Sequence, residues 1–520
     1  MKKIRNLLLL CIGLPHFLLA QVGVDTSAFQ FFIQLDGIVP EDTIIAYLTD
    51  LNATEVWRND NVGIALWQAN GYPFVTAEGV QVTDIYTIIR ESARKTKIQE
   101  ATFDILTSLG DIQDNATGSC FDIADYTMAQ GNGEKVKISI LDTGISPNIA
   151  SSTTGHLNYN LLDYTGYDYI NSDDEPEDDN GHGTHIAGII HSITNGISIT
   201  GTKVSFDIRK THNAQGQGMT SDIVKALLDA SADHADIVNM SFGMPDAFIP
   251  SKFFPLRLAI NHLSSEGILV ICAAGNEGKN IDVLSNTTLP AGFPDPGILS
   301  ISAFDCSEEL AVFSNFGSEN TDISAPGFKI PGPDMAGGLR YASGTSQATA
   351  VATGVAALVL THGAVFDFGL LKCALINGAI EIPALSGLSV SEGIINTANA
   401  KALYQAPQAG YTVTSYHNNG IGSLRFGIEK TCGVSQIDID PSLNGIPLQI
   451  SGNDLIISSN TIINGLGMMT SEIQLDGNVA LKINPGSMLH LSNLSINKSG
   501  SQATIINQGN LILGSNVKIE

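Results

Sequence analysis

Val136-Lys137-Ile138-Ser139-Ile140-Leu141-Asp142-Thr143-Gly144 is the stretch that decides the fold of this chain. A β-branched apolar run of this length reads as a buried strand, and it ends in an acid followed by a glycine turn. Working outward, strand-like and helix-like patterns alternate from 136 to about 405, as in Ile223 to Ala232, Ile237 to Met240, Leu258 to Ser265 and Ile268 to Ala273. That alternation predicts an α/β unit, a parallel sheet wound with helices. Ligands and reactive groups in such sheets collect beyond the C-terminal ends of the strands, where Asp142 falls.

Three further segments carry reactive side chains. Asn180-Gly181-His182-Gly183-Thr184-His185 puts a histidine at the mouth of a helix of small residues. Val270-Ile271-Cys272-Ala273-Ala274-Gly275-Asn276 is a buried strand that delivers an asparagine amide. Ala342-Ser343-Gly344-Thr345-Ser346-Gln347-Ala348 opens an Ala-rich helix with a serine, where the helix dipole and free N–H groups favour a developing oxyanion. Acid, histidine and serine with a spare amide donor are the parts of a nucleophilic acyl-transfer site. Each piece has a plainer reading. Asp-Thr-Gly also marks aspartic proteases, but that chemistry needs two such carboxylates and the chain has one Asp-Thr-Gly. His182 and His185 read as zinc ligands only with a third ligand at motif spacing, which does not follow. Gly-Thr-Ser alone is a turn. The joint occurrence in this order carries the reading.

Together the four segments resemble those of the subtilisin-like serine proteases, the subtilase family, over roughly residues 125 to 402. The likeness ends in Ser391-Glu392-Gly393-Ile394-Ile395-Asn396, which is similar to the family's closing segment. The resemblance implies a parallel sheet with helices on both faces over 119–405 and a serine endopeptidase that needs no cofactor for its chemistry. It implies Ser346 as nucleophile, His182 as general base and then acid, Asp142 as the group that fixes the imidazole, and Asn276 as oxyanion donor beside the Ser346 N–H. It further implies that an extended polypeptide substrate adds to Ser241-Phe242-Gly243, with Gly216 and Gly218 opposite. Ala273, Ala274 and Gly275 would form one wall of the pocket before the scissile bond. One departure stands out: the family's usual Met-Ala-x-Pro after the serine is Gln347-Ala348-Thr349-Ala350 here. Proline in a first helical turn is favourable but not obligatory, so no catalytic residue is lost.

The flanks have their own character. Met1 to Arg5 is a positive n-region and Leu7 to Ala20 an apolar stretch too short to span a bilayer. Residues 1–20 therefore read as a secretory signal peptide, which predicts a secreted or cell-surface protein with no membrane span. Residues 21–118 read as a small α+β unit, with strands near Phe29 to Leu35 and Val62 to Trp67, and helices near 42–51 and 84–95. In position and order this unit resembles the family's propeptide, which implies an intramolecular inhibitor and a zymogen cleaved around 110–122. After a linker over 406–430, residues 431–520 change texture: apolar triplets such as Leu455-Ile456-Ile457, Ile473-Gln474-Leu475 and Leu481-Lys482-Ile483 recur among Asn, Gly and Ser. Alternation within each triplet turns two side chains inward on a short strand. Repetition at this spacing predicts a β-solenoid, or else a small sandwich, as an accessory domain with its own surface ligand. The alternative function is a binding or adhesive protein in which this domain acts and the protease fold is a degenerate scaffold.

Composition bounds the rest. The 520 residues allow three to four domains at ~150 residues each. With 43% hydrophobic and 15% charged residues the chain is not disordered. A net charge of −26 repels phosphate backbones and excludes non-specific nucleic-acid binding. The chain has six cysteines, and Cys11 lies in the leader, so an odd number follow and at least one has no partner within the chain. Cys272, on a buried strand, is the expected free thiol. The acidity concentrates before the His182 segment, where Asp168, Asn171, Asp173, Glu175 and Glu177 alternate. Such a loop suits structural Ca²⁺, and it resembles a calcium loop of some thermostable subtilases; otherwise it is a solvated acidic face.

Overall fold

A computed structural model describes residues 28–34, 53–62, 64–70, 74–75, 81–82, 100–103, 106–109 and 112–114. From 119 to 519 it describes all but 132, 134, 148–152, 155–156, 159–163, 196–202, 245–252, 364–366, 406–409, 419–422, 430–435, 453, 458–459, 468–469, 478, 484–486 and 499–503. The leader, the helices expected near 42–51 and 84–95, and residues 115–118 lie outside the described residues. No helix among the described residues is long and apolar enough to cross a membrane.

The N-terminal unit is an antiparallel sheet in the order Ala53–Asn59, Ile64–Asn70, Ala28–Gln34, Glu100–Phe103. Ile64, Ala65, Leu66 and Trp67 are buried, as an apolar strand between two neighbours should be. Ala53–Asn59 is an edge strand that the sequence pattern does not announce. Its Glu55 and Arg58 break the apolar alternation and pair with each other at 2.6 Å.

The larger unit is built on a nine-stranded sheet. Seven of its strands are β1 (Val136–Asp142), β2 (Tyr164–Asp168), β3 (Val204–Lys210), β4 (Ile237–Met240), β5 (Leu269–Ala273), β6 (Ile298–Phe304) and β7 (Ile323–Pro326), in the parallel order β2-β3-β1-β4-β5-β6-β7. Gly393–Ile394 and Ile380–Glu381 complete the far edge. The β-branched runs form strands because each is flanked on both sides by others and buried on both faces. β1 has β3 on one side and β4 on the other, so the winding reverses there. A crevice opens at such a reversal, beyond the carboxyl end of the strand.

Two helices matter to the site. α1 (His182–Asn195) packs against α2 (Thr345–Leu360), which also contacts β4, β5, β6 and β7. Every residue of α2 is buried. A helix rich in Ala, Val, Leu and Thr, apolar all round, belongs in a core rather than on a surface. The alanines and Gly354 keep it slim: a Cβ added at Gly354 would stand 2.8 Å from the Ile193 Cβ of α1. The wound sheet and both helices share one core cluster, including Ile138, Ile140, Ile186, Ile190, Val351 and Leu358.

Beyond 410, short strands form three parallel sheets. Leu448, Ile473, Ile496 and Ile519 stack in register in one, Leu455, Leu481 and Ile505 in another, and Ile437, Ile463, Leu491 and Leu513 pair along the third. Leu455 and Ile457 are buried and Ile456 is not, so the inward-facing triplets point as alternation requires. Of the stacked side chains, Leu448, Ile473, Ile496, Leu455, Leu481, Ile437, Ile463 and Leu491 form a buried cluster of their own, with Ile505 packed against it, while Leu513 is exposed. Cys120 and Cys306 are joined by a disulfide, and Cys373 is disulfide-bonded as well. Cys272, buried on β5, is the free cysteine among the described residues, and burial pushes its thiol pKa far up.

Candidate active site

Asp142 ends β1 at the winding reversal and is fully buried. The chain turns away at Gly144, whose φ of +109° is a left-handed conformation that side chains resist. The space is also closed to a Cβ there, which would lie 2.5 Å from the Pro176 carbonyl oxygen. Asp142 Oδ1 accepts from the Thr143 N–H at 2.7 Å and lies 2.7 Å from His182 Nδ1. Burial raises the Asp142 pKa, an effect opposed by the charge and hydrogen bond of His182 and by the Thr143 N–H. His182 is the first residue of α1, and its backbone N–H donates to Asn180 Oδ1 at 3.1 Å. α1 starts hard against the β1 turn: a Cβ at Gly183 would meet the Gly144 oxygen at 2.3 Å. That contact explains a glycine directly after the histidine.

Ser346 is the second residue of α2 and only 2% exposed. The first N–H groups of a helix have no intrahelical acceptor, so its N-terminal turn is a donor-rich end. Ser241 Oγ donates to the Ser346 carbonyl at 3.0 Å, which ties the segment after β4 to the start of α2. Asn276 Oδ1 accepts from the Thr345 N–H at 2.8 Å and from Thr345 Oγ1 at 3.0 Å. An amide is planar, so holding its oxygen on Thr345 turns its NH₂ edge to the opposite side. Gly275 just before it has φ +107°, and a Cβ there would collide with Asn315 Nδ2. Asn315 in turn donates to the Ala274 carbonyl at 2.9 Å.

The residues expected to line a peptide groove converge. A Cβ at Gly243 would lie 3.5 Å from the Ala273 carbonyl oxygen, so the segments after β4 and β5 adjoin. Phe242 packs on the His212 ring with centroids 4.5 Å apart, and a Cβ at Gly218 would reach the same ring at 2.9 Å. His212 therefore packs between the Gly218 and Phe242 segments. Burial and the neighbouring His182 hold its pKa down at about 3, so it is neutral at ordinary pH. Gly216 accepts a hydrogen bond from the Leu109 N–H at 2.9 Å, and Ile112–Asp114 pairs with Leu339–Ser343, which runs into the α2 segment.

Sequence reasoning missed Thr345, His212, Asn315 and Asp178 as parts of this site, and it gave Ser241 a place in the groove but not its bond to the Ser346 carbonyl. Thr345 stands beside the serine in its motif, yet its partner Asn276 is distant in sequence, and Asp178 reaches back to Thr143 in the same way; only the fold supplies these partners.

The acidic loop has a different outcome. Asp168, Asn171, Asp173, Glu175 and Glu177 line one cavity with Asp178, Asp179 and Lys210. Asp168 Oδ1 accepts from the Ile170 and Asn171 N–H groups at 2.7 and 2.9 Å, and its Oδ2 from Asn171 Nδ2 at 2.9 Å. Asp173 Oδ1 accepts from the Glu175 N–H at 3.0 Å. Lys210 is buried and sends its ammonium into the cavity, 2.6 Å from the Glu177 carbonyl and 2.9 Å from Asp179 Oδ1. Among the described residues no group of three or more His, Cys, Asp or Glu is arranged to hold a metal ion. Calcium takes six to eight oxygens; three carboxylate oxygens of this loop, both of Asp168 and Oδ1 of Asp173, accept N–H groups, and Lys210 sets a cation beside Asp179.

The class defined by this fold and site is a wound parallel α/β sheet with a carboxylate–imidazole pair at its reversal point and a serine on the neighbouring buried helix. The chain belongs to the subtilase family, whose sequence model matches residues 133–408, just over half of its length. It is similar to the thermostable alkaline protease of Halalkalibacterium halodurans, 34% identical over 44% of this chain and 57% of that one. It is also similar to subtilisin NAT of Bacillus subtilis subsp. natto, at 32% over 44% of this chain and 56% of the relative. Subtilisin DY of Bacillus licheniformis is 32% identical over 46% of this chain and 81% of its own length. The chain thus spans little more than half the length of the first two relatives.

Proposed function

We propose that this protein is a secreted serine endopeptidase that hydrolyses extended polypeptides. The observation that carries the reading is the buried Asp142–His182 contact on α1, packed against the helix whose first turn holds Ser346 and whose Thr345 fixes Asn276. With its Nδ1 proton held by Asp142, the imidazole presents Nε2 as base. Ser346 Oγ attacks the scissile carbonyl carbon while its proton passes to His182 Nε2. The resulting oxyanion is met by the Asn276 NH₂ edge and the Ser346 N–H; one such donor is worth about 3–4 kcal/mol. Collapse of the intermediate breaks the C–N bond, and His182 returns the proton to the departing amine. Water then attacks the acyl-enzyme by the same route in reverse.

The substrate main chain adds between Gly216–Gly218 and Ser241–Gly243, with His212 beneath and Ala273, Ala274 and Gly275 walling the adjacent pocket. The pairing of Leu109 with Gly216, and of Ile112–Asp114 with Leu339–Ser343, supports an inhibitory role for the 21–118 segment until it is cut. Residues 1–20 act as the export signal. Lys210 offsets part of the charge of the acidic loop by pairing with Asp179. The region from 431 is a β-solenoid, a reading supported by its stacked inward residues, and it binds a surface ligand.

Casein hydrolysis by the processed protein, compared with Ser346→Ala, tests the proposal. Activity confined to the wild type supports it; equal activity, or none in either, refutes it.

A further inference from the structure

Behind the Asp142–His182 pair stands a second carboxylate, Asp178, that neither the motifs nor the peptide-cleavage chemistry accounts for. Its Oδ1 accepts from Thr143 Oγ1 at 2.8 Å, from the Asn180 N–H at 3.0 Å and from the Gly181 N–H at 2.8 Å. Its Oδ2 accepts from the Thr184 N–H at 2.9 Å and from Thr184 Oγ1 at 2.5 Å. Each threonine hydroxyl has one proton, and both are spent on Asp178. Their lone pairs then reach across: Thr143 Oγ1 accepts from the Gly183 N–H at 2.9 Å, and Thr184 Oγ1 from the Ser146 N–H at 2.9 Å. The turn after Asp142 and the first turn of α1 are therefore cross-laced, and every strand of the lacing runs through one acceptor-only group. The Asp178 backbone N–H adds a bond to the Ile145 carbonyl at 3.2 Å.

We propose that Asp178 is a positioning residue, which locks the Asp142 turn to the start of α1 so that the His182 ring is held in line for proton transfer. The inference rests on the reading of Asp142 and His182 as catalytic groups. Burial alone would raise the Asp178 pKa, but the bonds from Thr184, Gly181 and Asn180 outweigh it and hold the carboxyl below its usual range. It is thus an anion at the N-terminus of α1, where the helix dipole favours one. An asparagine of the same shape would turn an NH₂ toward donors and break one side of the lacing.

The experiment measures kcat and KM on a peptide substrate for the processed wild type, Asp178→Asn, Thr143→Val, their double variant and Thr143→Ser, with Ser346→Ala as blank. Misplacement of a reacting group by about an ångström costs on the order of 10²-fold in rate. Asp178→Asn and Thr143→Val are each expected to lower kcat at least tenfold with KM within about twofold. The double variant should be little worse than either single one, because both act through the same bond. Thr143→Ser restores the hydroxyl and should restore kcat. An unchanged kcat in Thr143→Val, a loss confined to KM, or multiplicative losses in the double variant overturns the inference. If the wild type itself matches the Ser346→Ala blank, the proposed function fails instead. Thr143→Val keeps the side-chain volume, so the test stands even if Asp178→Asn does not fold.

Discussion

His182 Nδ1 and Asp142 Oδ1 stand 2.7 Å apart with both side chains sealed from solvent. The carboxylate can accept but not donate, so the proton on that line belongs to the imidazole. Asp142→Asn puts an amide in the same volume and favours the wrong tautomer. Its kcat on a peptide substrate is expected to fall on the order of 10⁴-fold with KM little changed. A loss of less than tenfold would separate the pair from the chemistry.

Thr345 aims Asn276 through two bonds to one oxygen. Asn276→Ala removes an oxyanion donor and should lower kcat by roughly 10²–10³-fold. Thr345→Val removes only the hydroxyl bond, leaves the backbone one, and should cost a fraction of that. Single-turnover rates on an ester and a peptide substrate distinguish the two; a Thr345→Val enzyme slower than Asn276→Ala would contradict the aiming role.

The wound sheet was legible because its strands are buried on both faces, so Val136 to Leu141 and Ile268 to Ala273 read as unbroken apolar runs. The Asp142, His182, Asn276 and Ser346 motifs were legible because each sits at the boundary of a strand or helix, where small residues are forced by close approach. Asp178 was visible only as one acid in a run of acids. Its five donors come from Thr143, Asn180, Gly181 and Thr184, and no periodicity encodes that convergence. The partner of the acidic loop was hidden for a similar reason. The charge pattern counts carboxylates, but Lys210 arrives from β3, the neighbour of β1 in the sheet but distant in sequence, and its ammonium bonds the Glu177 carbonyl and pairs with Asp179.

His212 yields a pH signature. Its folded pKa is held at about 3 while the unfolded side chain titrates near its ordinary value, so between those limits the unfolded state binds more protons. The stability it contributes is present above about pH 6.5 and is lost as pH falls toward 3. Between pH 7 and 5 the loss is on the order of 2 kcal/mol. Urea unfolding of the Ser346→Ala protein at both pH values should show a drop that His212→Leu reduces by that amount. Equal drops in both proteins would mean the histidine is not held neutral.

Lys210 offers a test of charge compensation in the acidic loop. Wild-type Tm should be indifferent to EDTA and to millimolar Ca²⁺. Lys210→Met leaves Asp179 and its neighbours without their cation and should melt several degrees lower. Added Ca²⁺ should recover part of that loss by binding where the ammonium stood. A wild-type Tm that falls on chelation would restore calcium to the loop.

The central claim is that Ser346, on the first turn of a fully buried helix, is the nucleophile of a peptide-bond hydrolase. The most direct measurement is peptide mapping by mass spectrometry after the processed protein reacts with a fluorophosphonate. The account predicts one stoichiometric adduct on Ser346, absent from Asp142→Asn and His182→Ala on the same timescale. An adduct on another residue, or none from a protein that still cleaves casein, would contradict it.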